Sequence, residues 1–90
     1  MTIYISAIEK GALPTHLTIN GITDQGWQNV HVFVATGEGR EAAQSANLTA
    51  VSDADGHWSA VYPKPVVPGA RITAFARSGD SPLAEFSTVA

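Results

Sequence analysis

Cysteine is absent from this 90-residue chain, so no disulfide braces it and thiolate metal centres are excluded. Charge is sparse: 14% of residues are charged and the net charge is −3. Lys10, Lys64, Arg40, Arg71 and Arg77 lie scattered, with no basic run. Nucleic acid and anionic membrane surfaces attract a cationic face, so neither is expected as a partner. No apolar run approaches the ~20 residues of a membrane span, and no membrane insertion is expected. The first ten residues lack a basic segment followed by an apolar stretch, so they do not read as a signal peptide. The chain is therefore expected either to be made and used without secretion or to be part of something larger. No stretch patterns as a helix of ordinary length, and no internal repeat is present.

What remains is a hydrophobic share of 44%, much of it alanine. A chain this short buries about 60–65% of its unfolded surface, so its core is thin. Bulk must come from a few side chains: Trp27, Phe33, Trp58, Tyr62, Phe75 and Phe86. Alternation with period two recurs between turn residues, which is the pattern of a sandwich or barrel. Strands are expected at 2–8, 17–22, 29–35, 48–52, 57–62, 71–77 and 83–89. In the third, Val30, Val32 and Val34 share one face, with His31, Phe33 and Ala35 on the other. In the fifth, Trp58, Ala60 and Tyr62 share a face; in the sixth, Ile72, Ala74 and Ala76 point inward. Asp55-Gly56 supplies a hairpin turn, since that pair tolerates the positive φ of tight hairpins. The stretch 36–46, with Gly37 and Gly39, reads as a loop with room for a short helical turn, and 63–69, with three prolines, cannot be a central strand. The expected fold is all-β: an antiparallel sandwich or barrel of about seven strands.

Five stretches occur in the order and spacing of a known family. They are Ile19-Asn20-Gly21-Ile22-Thr23, Val30-His31-Val32-Phe33-Val34, Asp53-Ala54-Asp55-Gly56-His57-Trp58-Ser59, Pro68-Gly69 and Thr73-Ala74-Phe75-Ala76. Together they resemble the bacterial immunoglobulin-like (Big-type) repeat domains of adhesins and phage virion structural proteins. The resemblance spans about residues 17–86 and implies an immunoglobulin-like sandwich. It sets residues 1–16 apart as an N-terminal strand or arm, with 17–90 as the sandwich. Arg77-Ser78-Gly79-Asp80 stands where the family continues with an aspartate and an Ala-Gly-Asn turn. The calcium site that some members hold between adjacent repeats is therefore not carried over.

The residues offer little chemistry. His16, His31 and His57 are far apart in sequence, and a metal site would need them to converge with carboxylates. Asp53 and Asp55 resemble the start of a calcium loop, but nothing nearby completes the shell, and a polar hairpin tip is the simpler reading. There is no Gly-x-Ser-x-Gly elbow. Glu38 and Glu41 bracket a loop with no evident cleft, and Gly37-Glu38-Gly39 is too short for a phosphate loop. No catalytic residue, metal or cofactor is expected, and the chain is not expected to be an enzyme.

Contact residues are sought among the aromatics and in the N-terminal segment. Trp58 alternates with Ala60 and Tyr62 and reads as core, whereas Trp27 lies at a loop edge beside Gly26 and Gln28 and is open to either role. Phe33 and Phe75 fall opposite the inward rows, so either both faces are covered or these two form a sticky patch. Ile3 and Ile5 belong to an apolar, β-prone segment that either folds back as the first strand or reaches out to a neighbouring subunit. The resemblance implies a structural module docking on other protein subunits of a large assembly, at a virion surface. The alternatives are a carbohydrate-binding module using Trp27 on a cell-surface glycan, and one repeat of an adhesin at the bacterial cell surface.

Overall fold

The computed structural model describes residues 1–11, 17–37 and 44–90. They form seven strands: β1 (Ile3–Lys10), β2 (Leu17–Thr23), β3 (Asn29–Thr36), β4 (Gln44–Val51), β5 (His57–Tyr62), β6 (Arg71–Arg77) and β7 (Ala84–Val89). All pairings are antiparallel, in a three-stranded sheet ordered β1-β2-β5 and a four-stranded sheet ordered β4-β3-β6-β7. The chain is an immunoglobulin-like sandwich. In the constant-type arrangement the fourth strand joins the first sheet; here β4 pairs with β3 in the second.

Side-chain alternation builds the core directly. Val30, Val32 and Val34 of β3 meet Leu17 and Ile19 of β2, Trp58 and Tyr62 of β5, and Ile72, Ala74 and Ala76 of β6. Val66 closes the layer from the proline-rich loop. The Tyr62 hydroxyl lies 3.4 Å from Thr36 Oγ1, a polar tie between the sheets. Gly21 faces Trp58 across the β2–β5 ladder, and a Cβ at Gly21 would overlap the indole. Glycine there is what lets the tryptophan lie across its neighbouring strand. Gly56, at φ 88°, makes the turn before β5.

The N-terminal segment is a strand of the sandwich. β1 pairs with β2 over its whole length, from Ile3 opposite Thr23 to Lys10 opposite Leu17. A register shift between Ile5 and Ala7 marks a bulge, which brings Ile8 inward although it does not share the parity of Ile3. β4 begins at Gln44, so Gln44, Ser45 and Ala46 are strand where a loop was expected. Their eight-residue match with β3 is unbroken, and that partner supplies the hydrogen bonds that local propensity did not announce. Most of the expected 36–46 loop, including Glu38 and Glu41, lies outside the described residues, as does His16.

Candidate functional site

The four-stranded sheet has an outer face as regular as its inner one. On β3 and β6 the residues between the buried ones point outward, His31 and Phe33, Phe75 and Arg77, as do Asn47 and Thr49 between the half-buried residues of β4. Phe33 and Phe75 are register partners across β3 and β6. Their ring centroids are 6.3 Å apart with planes inclined at 35°, within the range of favourable aromatic pairs. Phe33 is 37% exposed and Phe75 half-buried. Around them, His31, Asn47, Thr49, Arg77 and Leu83 rim a shallow depression of about 350 Å³. Leu83, which precedes β7, is itself exposed. The outcome is an aromatic floor with amide, hydroxyl, imidazole and guanidinium groups at its edge. Such a surface can bind by apolar burial and orient its partner by hydrogen bonds.

Trp27 stands elsewhere. Its backbone N–H donates to the Asp53 carbonyl (3.1 Å), and Ser52 N–H donates to the Gln28 carbonyl (2.9 Å). Gln28 N–H in turn donates to Ser52 Oγ at 2.8 Å. These bonds zip the β2–β3 loop to the β4–β5 hairpin and hold Trp27 at φ 57°, a conformation unfavourable for a bulky residue. Its side chain is 72% exposed. Trp27 is therefore not part of the core, and it does not line the depression over Phe33 and Phe75.

Ile3 and Ile5 are not free contact residues. Ile3 is buried in the core, and Ile5 is half-buried against it. Both point inward before the bulge, so the folded strand turns Ile3 wholly and Ile5 mostly away from a partner. Of the five candidates the structure thus brings together Phe33 and Phe75, places Trp27 apart and turns Ile3 and Ile5 inward. Sequence reasoning missed Leu83, Asn47, Thr49 and Arg77 at the rim. For Asn47 the signal was hidden because the strand was expected to start at 48; Thr49 lay inside the expected strand, and its outward parity follows from the register with β3.

Asp53, Asp55 and His57 gather at the hairpin tip, all exposed, with potential ligand atoms within 4.8 Å of one another. One Asp53 carboxylate oxygen already accepts the N–H groups of Asp55 (2.9 Å) and His57 (3.0 Å). The other lies 4.0 Å from His57 Nδ1. This is the geometry of an aspartate organising its own turn. No protein-family model matches the chain, and no curated protein is significantly similar to it.

Proposed function

We propose that this domain is a non-enzymatic interaction module that docks on a larger protein assembly, at a virion surface, through the outer face of its four-stranded sheet. The observation that carries this reading is the Phe33–Phe75 pair. The core is already filled by Trp58, Tyr62 and the aliphatic rows, so the two rings are not needed to cover the sheet from within. An adjacent aromatic pair left accessible on a flat face is characteristic of contact surfaces. The opposite outer face has a polar centre, where Ser59 Oγ donates to Asn20 Oδ1 at 2.6 Å, with Tyr4 and Ile22 paired beside it and no aromatic pair among the described residues.

The test is a Phe33→Ser/Phe75→Ser variant assayed by co-sedimentation with particles from the same source. The expected result is loss of particle binding with a melting temperature changed by only a few degrees, since truncations outside the core have small effects. Binding that survives in the folded variant would place the contact elsewhere. A second reading, glycan binding, is favoured by Trp27, a fully displayed indole in a strained backbone position. Retention on a polysaccharide column that Trp27→Ala abolishes would select it over particle docking.

A further inference from the structure

Among the described residues the sandwich has four edge strands, and three of them are blunted. β1 carries a bulge and the charged pair Glu9 and Lys10. β5 has six residues and runs straight into Pro63. β7 carries Glu85, and Lys10 Nζ donates to its Val89 carbonyl at 2.7 Å. β4 is the least blunted: its eight residues, Gln44 to Val51, include no charge, proline or glycine, its register with β3 has no irregularity, and Lys64, from outside the strand, reaches only the carbonyl of Ser45 at one end. Uncharged, regular, long edges are the ones that accept another strand.

The hydrogen-bond phase shows which groups this edge offers. Gly37 N–H donates to the Arg71 carbonyl (3.1 Å), so the odd-numbered residues of β3 turn their main-chain groups to β6 and the even-numbered ones to β4. Ser52 N–H bonding to the Gln28 carbonyl keeps the same phase on the β4 side. Gln44, Ala46, Leu48 and Ala50 therefore bond to β3, and Ser45, Asn47, Thr49 and Val51 direct their N–H and C=O groups to the open side. Lys64 Nζ, 2.6 Å from the Ser45 carbonyl, marks that side and covers one end of it. Among the described residues, the main-chain groups of Asn47, Thr49 and Val51 that point outward have no partner.

We propose that the β4 edge pairs antiparallel with β4 of a second copy of this chain, about a twofold axis at Leu48. Three features favour a second copy. The strand carries no charge, so self-pairing sets no like charges opposite each other. Centring on Leu48 pairs all four edge-facing residues among themselves: Asn47 with Thr49 of the other copy, and Ser45 with Val51. The same register lays the inward row Ala46, Leu48, Ala50 against itself, and that row is only half-buried in one chain. Leu48 then meets Leu48 in a non-hydrogen-bonded pair, where side chains approach most closely. Lys64 competes for the outermost bond, so the central Asn47–Thr49 pairs carry the ladder. The joined sheets present two Phe33–Phe75 pairs on one face, although the proposal does not depend on what those rings bind.

Sedimentation over a concentration series tests this. The weight-average mass should rise from 9.4 kDa toward twice that value, with a Kd of roughly 10 µM to 1 mM, as expected of a small interface. Asn47→Lys/Thr49→Lys sets lysines opposite each other twice and should weaken association at least about tenfold, while Asn47→Lys/Thr49→Glu should restore it. The chain has no cysteine of its own, so single-cysteine variants report the register. Leu48→Cys should form a disulfide-linked dimer under mild oxidation and Thr49→Cys should not, because only the axial pair brings Cβ atoms within bonding reach. A mass that stays at 9.4 kDa throughout would overturn the proposal. So would association that survives the double lysine variant or is lost instead in Phe33→Ser.

Discussion

Trp58 and Trp27 show how one residue type serves two ends. Trp58 is 3% exposed, and its indole lies over Gly21 in the neighbouring strand. Its Nε1 is buried with no hydrogen-bond partner among the described residues. Leaving that donor unpaired costs about 1–3 kcal/mol, yet burying the ring contributes more in a core otherwise short of large side chains. Trp58→Ala should lower stability by about 3–5 kcal/mol in urea titrations, whereas Trp27→Ala, which removes a solvent-facing side chain, should change it by no more than about 0.5 kcal/mol. A larger loss from Trp27→Ala would invert the roles assigned to the two indoles. The hairpin tip belongs to this scale as well. Asp53 uses one carboxylate oxygen to hold the N–H groups of Asp55 and His57, so the turn is organised by the chain itself. Adding EDTA should therefore leave the melting temperature unchanged. A clear fall on chelation would reveal an ion bound to the native state.

Among the elements, β1 is the one whose role the sequence left most open. Its pairing with β2 and the burial of Ile3 and Ile8 make it part of the core rather than an arm. Lys10 also ties it across the sandwich to Val89 of β7. Deleting residues 1–10 should expose the β2 edge and part of the core together, and so abolish cooperative melting followed by circular dichroism. A truncated chain that melts sharply near the full-length temperature would show that β1 adds little to the fold. The bulge between Ile5 and Ala7 explains why strict alternation misleads here: one extra residue moves every later side chain to the other face. β4 shows the converse case. Gln44, Ser45 and Ala46 have weak strand propensity, and only their partners on β3 make them a strand.

For the molecule as a whole, alternation was the legible part. The valines of β3, the Trp58-Ala60-Tyr62 row of β5 and the Ile72-Ala74-Ala76 row of β6 are inward-facing from local pattern alone, and all are buried. That pattern determines the inner face of these three strands and limits the class to a sandwich or barrel, because a period of two is a property of neighbouring residues. Pairing is not local. That β4 joins β3 in the four-stranded sheet, that Gly21 faces Trp58, and that Phe33 meets Phe75 all depend on register between segments distant in the chain. The aromatic pair is the clearest instance: the sequence placed each phenylalanine on an outward row, but only the β3–β6 register set the two rings side by side and ringed them with residues from β4 and the approach to β7. A strand's pattern says which way its side chains point, and the tertiary structure decides what they point beside, because register is settled by the packing of the whole core.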